Sequence, residues 1–232
     1  GRVLVLQNGV PINKSDGGSV NWNRISVKDI EKVEVFKGPG SSIYGSNAMG
    51  GVINIITKKE DKKGVHGSAG VEYGTYNTLG ENIFLGGRLK EGNEGFYWKL
   101  AAFNRSSDGY ISVPDSLVEP TTVKTGLEEL NINAIAGYDF NENNSLELEY
   151  NLYDDSRGMG EKIQEEQKRD KDTHFAKASW RGQKGIFNWT LSGYYQYENY
   201  KDIREKGGSS YTRWDVDSKR KEMGTLLNFN AH

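Results

Sequence analysis

The stretch SLELEYNL, residues 145–152, decides the fold class, because apolar and polar residues alternate along it without interruption. Successive side chains of an extended chain point to opposite sides, so the apolar residues share one face and the polar residues share the other. The apolar face carries Leu146, Leu148, Tyr150 and Leu152, and the opposite face carries Glu147, Glu149 and Asn151. The pattern predicts a β-strand that separates an apolar environment from a polar one.

Segments of this kind recur through the rest of the chain after residue 63, and none of them has a helical period. Eight strands are predicted, at 65–73, 82–89, 96–105, 130–139, 146–152, 175–181, 187–196 and 222–231. Segments of about ten residues suit strands that cross a membrane at a tilt.

The connections between these segments distinguish a barrel from a soluble β-sandwich, which also alternates. After a tight turn near Tyr76 and Asn77, short connections alternate with long ones along the chain. The short ones are 90–94, 141–144 and 182–185, and the long ones are 108–126, 156–171 and 201–214. A transmembrane barrel places short turns on the periplasmic side and longer loops outside, so this parity favours a barrel.

Composition agrees with a barrel and excludes several other classes. Mean hydropathy is −0.73, and no run reaches the roughly 18 apolar residues of a membrane-spanning helix, but the polar lumen and loops of a barrel also keep hydropathy low. There is no cysteine, which excludes a disulfide framework and thiolate metal sites. The formal charge of −2 gives no general attraction to nucleic acid.

The first 59 residues have a different pattern. A short apolar run, Val3–Leu6, ends at the turn pair Asn8-Gly9, and a polar loop covers 13–23. A short helical start followed by a strand is predicted from Ile30. The glycine-rich stretch 38–51 does not fit a nucleotide site, because a Walker loop requires Lys where Ser46 stands and a dinucleotide fingerprint requires Gly where Ile43 stands.

Two sequences in this block carry a family resemblance. DIEKVEVFKGPGSSIYGSNAMGGVINIITKK, residues 29–59, resembles the closing segment of the plug domain of TonB-dependent receptors, and VLQNGVPIN, residues 5–13, resembles the plug strand before it. Lys37 departs from the family, which more often has Arg there, and this weakens any argument for a bidentate Arg contact. The end of the block looks more like the branch that takes up metal chelates than the branch that imports glycans.

The resemblance implies a mainly all-β fragment of a large antiparallel transmembrane β-barrel of about 22 strands, with a small mixed α/β plug domain. Residues 1–59 are expected to be the C-terminal part of the plug, 60–63 a linker, and 64–232 the first eight or so barrel strands. A complete eight-stranded barrel is not expected, because its interior is filled by its own side chains.

The resemblance also implies a function. It is active, TonB-dependent import of a scarce nutrient across the outer membrane of a Gram-negative bacterium, in which the protein is multi-pass. The expected cargo is an iron-siderophore or another metal chelate, with haem or cobalamin as the alternative. The expected partners are TonB of the inner-membrane energising complex, the chelate and outer-membrane lipid. A surface-binding, adhesive barrel is the competing function, whereas a plug argues against a simple pore.

The candidate substrate contacts come from the loop and turn that the family places at the outward apex of the plug. Trp and Tyr offer flat apolar surface, and Asn, Asp and Ser offer hydrogen bonds, although the same residues are common in ordinary turns. The candidates are Asp16, Ser19, Asn21, Trp22, Tyr44 and Asn47.

Neither a cofactor nor catalysis is expected. His66, His174 and His232 are isolated in the sequence, so haem ligation has no support from them. Calcium between the outer loops is conceivable but matches no defined calcium-binding spacing. The acidic residues in question are Asp154, Asp155, Asp170, Asp172, Asp202, Asp215 and Asp217. No nucleophile elbow, Ser/His/Asp set or paired-His motif is present, so an enzyme is not expected.

Overall fold

A computed structural model describes residues 3–13, 20, 22, 25, 29–40, 48–58, 60–89, 94–207 and 210–231. The chain divides into two compact units, Gly1–Lys59 and Glu60–His232. Within the described ranges, no helix has the length and apolar character that crossing a membrane requires.

The first unit is built on a four-stranded mixed sheet. Its strands are β1 (Val3–Gln7), β2 (Val10–Pro11), β3 (Ile30–Lys37) and β4 (Gly51–Thr57), in the order β2-β1-β4-β3. β1 pairs antiparallel with β2 and parallel with β4, and β3 pairs antiparallel with β4. Asn8 and Gly9 both have positive φ, 49° and 81°, as a two-residue hairpin turn of this sequence requires. The predicted turn is confirmed.

The central position of β1 and β4 explains the core of this unit. Two buried clusters lie on opposite faces of the sheet, because successive side chains of β1 and β4 point to opposite faces. One cluster consists of Leu4, Leu6, Ala48 and Val52, and the other of Val5, Ile12, Ile25 and Ile55. All residues of β4 are buried or half-buried, as expected for a strand with neighbours on both sides.

The helical start predicted at Ile30 is wrong, because β3 begins there and pairs with β4 as far as Lys37. Nζ of Lys32 lies 2.8 Å from Oε1 of Glu34, a contact that the two-residue period of a strand allows on one face. This hydrogen bond from Lys32, helped by one from Asn54, lowers the pKa of Glu34. Sheet pairing therefore overrides the helix-like spacing of the acidic residues.

The second unit is an eight-stranded antiparallel sheet whose strands are neighbours in chain order. The strands are β5 (Gly64–Gly74), β6 (Thr78–Arg88), β7 (Gly95–Ser107), β8 (Leu127–Asn141), β9 (Asn144–Lys162), β10 (Glu166–Lys184), β11 (Phe187–Lys206) and β12 (Thr212–Ala231). The eight predicted strands are confirmed in number and order.

Two of the three predicted long loops are wrong. β9 continues to Lys162 and β10 begins at Glu166, while β11 continues to Lys206 and β12 begins at Thr212. We call these two hairpin ends the tips. Pairing persists through the residues in question, as between Ser156 and Asp170, whose Oγ and Oδ1 lie 2.6 Å apart. These strand ends have polar residues on both faces, so the alternation that identifies a strand in the sequence disappears there. The acidic residues considered for calcium therefore lie on strands.

The two faces of this sheet differ in character and in exposure. The apolar band is the set of apolar residues on one face of β9–β12, namely Leu146, Leu148, Tyr150, Leu152, Ala176, Ala178, Trp180, Phe187, Trp189, Leu191, Tyr195, Tyr197, Met223, Leu227 and Phe229. Leu148 is 53% exposed and Leu227 is 67% exposed, whereas Glu149 and Lys177 on the other face, the polar face, are 3% and 4% exposed. A soluble sheet shows the reverse arrangement, so the apolar band suits lipid.

Candidate functional site

Trp22 is the one predicted substrate contact that lies within the described residues. Its side chain is 55% exposed, and its carbonyl oxygen accepts a hydrogen bond of 3.1 Å from the N–H of Ile25. Because Ile25 is buried in a core cluster, the backbone at Trp22 is anchored while its ring stays accessible. The other predicted contacts, Asp16, Ser19, Asn21, Tyr44 and Asn47, lie outside the described residues.

Ion pairs cross the middle of the polar face between neighbouring strands. Nζ of Lys177 lies 2.9 Å from Oε2 of Glu149, and both side chains are almost fully buried. The Tyr97 hydroxyl donates a hydrogen bond of 2.8 Å to Glu147, and Nη2 of Arg181 lies 3.2 Å from the same carboxylate. A buried carboxylate requires such partners, because a charge without them is costly in a medium of low dielectric constant.

A second group of charged side chains on the polar face surrounds Glu129, closer to the end of the sheet that carries the tips. This carboxylate is fully buried and accepts a hydrogen bond of 3.0 Å from the Tyr153 hydroxyl. Arg157 contacts it too, and Nη1 of Arg105 lies 3.9 Å away. Nε of Arg157 also donates to Asp155 at 2.6 Å. Two arginines and two acids thus form one neutral group.

A third group of charged and hydroxyl side chains, on β10 and β11, surrounds Asp202. Nη2 of Arg169 and Nη2 of Arg204 lie 3.3 Å and 2.9 Å from its Oδ2, and the Tyr200 hydroxyl donates to it at 3.0 Å. Asp202 lies beyond Tyr197, the last band residue of β11, so it is outside the membrane-spanning part. Burial opposes its ionisation, but the hydrogen bonds from Arg204 and Tyr200 and the charge of Arg169 outweigh burial and lower its pKa.

A carboxylate also ties together the two hairpin tips. Glu205 is 4% exposed and accepts hydrogen bonds from the N–H groups of Gln164 at 2.8 Å and Glu165 at 3.1 Å. The Tyr211 hydroxyl donates to it at 2.5 Å, and this bond contributes most to lowering the pKa of Glu205. Nη1 of Arg213 lies 2.9 Å from Glu165. We call these five residues the tip network, and they join β9–β10 to β11–β12.

The connection 108–126 is anchored on the upper part of β9. Its returning segment pairs through the N–H of Val123 with the carbonyl of Gly160 at 3.1 Å, and the N–H of Lys162 with the carbonyl of Thr121 at 2.8 Å. The same connection carries the exposed apolar side chains Tyr110, Ile111, Val113, Leu117 and Val118. We call these five the loop surface. Exposed apolar side chains on an anchored loop are candidate contacts for a ligand.

Sequence reasoning missed the tip network and the loop surface. The aromatic and apolar residues of 108–126 were a visible signal for the loop surface, whereas nothing near Glu205 in the sequence indicates its partners. His66 and His174 lie on β5 and β10 and have protein partners: His66 Nε2 lies 3.0 Å from Glu60, and Nδ1 of His174 lies 2.7 Å from the Tyr150 hydroxyl. His232 lies outside the described residues.

Metal binding has no geometric support in the part of the chain that is described. No group of three or more His, Asp or Glu side chains there is placed to hold a metal ion.

Known proteins resemble the two units in different ways. The family described as "TonB-dependent Receptor Plug Domain" matches residues 1–52. The chain is 52% identical over 60 residues to the vitamin B12 transporter BtuB of Vibrio vulnificus, a match covering 26% of this chain and 10% of that protein. It is 32% identical over 118 residues to BtuB of Photobacterium profundum, covering 47% of this chain and 20% of that protein.

Solved structures extend the likeness to both units. The siderophore receptor PirA from Acinetobacter baumannii has a TM-score of 0.71 at 19% identity, over 98% of this chain and 36% of that one. The pyoverdine receptor FpvA from Pseudomonas aeruginosa PAO1 has a TM-score of 0.74 at 13% identity, over 97% of this chain and 36% of that one. Identities this low show the fold alone.

A mixed-sheet unit followed by an antiparallel meander with an apolar band is the arrangement that this chain shares with the solved receptors. Residues 1–52 match the plug domain of TonB-dependent receptors, and the chain as a whole has the fold of outer-membrane receptors of that kind. It spans 10% and 20% of the two transporters named above, and 36% of each of the two solved receptors.

Proposed function

We propose that the protein containing this chain imports a metal chelate of the ferric siderophore type across the outer membrane of a Gram-negative bacterium, driven by TonB. The observation that carries the proposal is the sheet with an exposed apolar band and a buried polar face, following a unit that matches the plug family. In this proposal residues 1–59 are the end of the plug, and 60–232 include the first eight barrel strands.

In this proposal the tips and the connection 108–126 lie on the extracellular side of the barrel wall, which the second unit forms. They lie at the same end of the sheet, and barrels carry their longer connections outside. The loop surface of the second unit is accessible to the chelate, and so, taken separately, is Trp22 of the first unit. TonB acts on the plug domain from the periplasm, and no covalent step is needed, so the protein is a transporter and not an enzyme.

Paired charges on the polar face suit passage of a cargo. Each arginine and lysine discussed above on that face lies within 4.0 Å of a carboxylate. Such groups offer hydrogen bonds without a large field of one sign, so they do not retain an ion strongly. This supports transport through the barrel rather than permanent adhesion to its outer surface.

Cobalamin is the second candidate cargo. It is favoured by the 52% identity of the plug region to a protein named as a vitamin B12 transporter, and the balanced charges of the polar face also suit a cargo of low net charge. Haem has less support, because His66 and His174 both lie on strands with protein partners.

The test is uptake of labelled ferric siderophore, labelled haem and labelled cobalamin by cells that carry the full-length gene. Each ligand is measured with and without a working TonB system, and cells lacking the gene are the control. TonB-dependent uptake of one ligand supports the proposal and identifies the cargo. Surface binding with no TonB-dependent uptake of any ligand would establish the adhesive function instead.

A further inference from the structure

The turn between β5 and β6 has an unusual backbone. Tyr76 and Asn77 both have positive φ, 60° and 52°, a region that costs a residue with a side chain about 1–2 kcal/mol. Asn tolerates this region through local hydrogen bonds of its short side chain, whereas for a bulky residue such as Tyr it is an outlier. A residue held in this conformation persists only where the surrounding structure fixes it. The contacts of the turn therefore show what it holds in place.

The turn holds the beginning of the connection 108–126. The carbonyl oxygen of Tyr76 accepts a hydrogen bond of 3.0 Å from the N–H of Asp108. Nδ2 of Asn77 donates to Oδ2 of Asp108 at 2.7 Å, and Oδ1 of Asn77 accepts a bond of 2.8 Å from the Tyr73 hydroxyl. The side-chain amide of Asn77 thus uses both its donor and its acceptor, and it ties the first residue of the connection to the end of β5.

Two exposed aromatic rings meet where the turn contacts the connection. The ring centroids of Tyr76 and Tyr110 are 5.4 Å apart, with an angle of 34° between the ring planes, and the two residues are 56% and 52% exposed. The backbone of Tyr110 is also fixed, because its carbonyl oxygen accepts bonds of 3.0 Å from both the N–H and Oγ1 of Thr125. The two rings form an accessible aromatic surface on an anchored backbone, which suits a flat or apolar part of a ligand.

The connection is therefore ordered at both ends before any ligand arrives. Its returning segment is anchored on β9 through Thr121 and Val123, and its beginning is anchored on the turn. Fixing the backbone of one residue costs about 1–2 kcal/mol of conformational entropy. A ligand that meets an ordered loop does not bear this cost, so the same contacts give a higher affinity.

We propose that Asn77 is a positioning residue for cargo binding, which keeps Tyr110 beside Tyr76 so that the two rings contact the cargo together. The proposal rests on the proposed function, because that function places this end of the sheet outside the cell and supplies the cargo. Asn77 itself does not touch the cargo; it acts through Asp108 and the backbone that leads to Tyr110. The rings take a flat ring or an apolar face of the chelate rather than its metal ion.

The test uses substitutions that preserve the turn. Asn77→Gly and Tyr76→Gly each introduce a residue that adopts positive φ without strain, so the free energy of unfolding should change by less than about 1 kcal/mol. Asn77→Gly should speed amide hydrogen exchange at Asp108 in the purified full-length protein. Both variants should raise the Kd of the bound ligand on the order of tenfold, measured with labelled ferric siderophore and labelled cobalamin. In cells, the half-saturating concentration for uptake should rise by the same factor while the maximal rate stays unchanged.

An exchange of two side chains distinguishes positioning from a general loss of stability. Asn77→Asp removes the donor and places a carboxylate against Asp108, so it should weaken binding at least as much as Asn77→Gly does. Adding Asp108→Asn returns one donor to this contact, and the double variant should bind within about twofold of wild type. The matched control is Asn143→Gly, in the turn between β8 and β9 at the opposite end of the sheet, which should bind as wild type does.

Three results would overturn the proposal. They are unchanged exchange at Asp108 or unchanged affinity in Asn77→Gly, an equal loss of affinity in Asn143→Gly, and a double variant as weak as Asn77→Asp alone. The proposed function is judged separately. Wild-type protein that binds a ligand without TonB-dependent uptake refutes import and leaves the role of Asn77 intact, whereas wild-type protein that binds neither ligand refutes both.

Discussion

The buried pair formed by Glu149 and Lys177 allows a quantitative test of how the polar face is stabilised. These residues are directly opposite on β9 and β10, their charged atoms are 2.9 Å apart, and their side chains are 1% and 2% exposed. Glu149→Leu removes one charge and leaves the Lys177 ammonium buried without its partner. Breaking a buried pair in this way costs about 3–5 kcal/mol.

The double variant distinguishes the cost of leaving one buried charge unpaired from the net contribution of the ion pair to stability. With Lys177→Met added, no unpaired charge remains, and apolar replacement of a buried pair is roughly neutral. We therefore expect the double variant to recover about 2 kcal/mol or more of the loss. The measurement is unfolding of the full-length protein in lipid vesicles by denaturant, followed by tryptophan fluorescence.

An exposed pair provides the control. Arg105 and Glu72 are 3.4 Å apart with side chains 41% and 65% exposed, and Glu72→Gln should change stability by less than about 1 kcal/mol. If Glu149→Leu costs no more than this control, or if the double variant is less stable than the single one, the reasoning about the polar face is refuted.

Three further predictions concern the tip network, the loop surface and Trp22. Glu205→Gln weakens the tip network and should speed amide hydrogen exchange at both tips. Because the pKa of Glu205 is lowered, the amides of the wild-type tips should stay protected from exchange above the ordinary glutamate pKa. This protection should be lost only as pH falls through the lowered value. Gly109→Ala should lower the free energy of unfolding by about 1–3 kcal/mol and expose the loop surface to protease. A Cβ at this position, where φ is +69°, would collide with the carbonyl oxygen of Thr125. Gly193→Ala is the control and should stay resistant to protease, because its Cβ meets nothing within 4 Å. Trp22→Ala should weaken ligand binding in the full-length protein, and unchanged affinity would remove Trp22 from the site.

Alternation predicts strands well only where the two faces meet different environments. Residues 145–152 were placed correctly, because Leu148 meets an apolar environment and Glu149 a polar one. Beyond Leu152, β9 continues for another ten residues to Lys162, with Asp154 and Asp155 on opposite faces. Polar side chains occupy both faces there, so the sequence loses its period although the backbone still pairs.

The candidate site was harder to predict than the fold for a physical reason. Glu205 is distant in sequence from Gln164 and Glu165, and their contact depends on the register of two neighbouring hairpins. Register is set by the whole sheet and not by any local motif. Trp22, by contrast, is predicted from the family resemblance of its loop together with its residue type; it is 55% exposed, and its role as a substrate contact stays a prediction.

The gradual lengthening of the strands has a consequence for how a cargo arrives. β5 has 11 residues and β12 has 20, and one row of cross-strand partners joins Tyr73 of β5 to Asp217 of β12. Beyond this row β5 extends one residue toward the end with the tips and β12 extends five, so the four additional residues lengthen that side by roughly 13 Å at about 3.3 Å per residue. In the proposed orientation the outer edge of this sheet is therefore a slope, and a bulky molecule meets a lower edge beside β5 and β6 than beside β12.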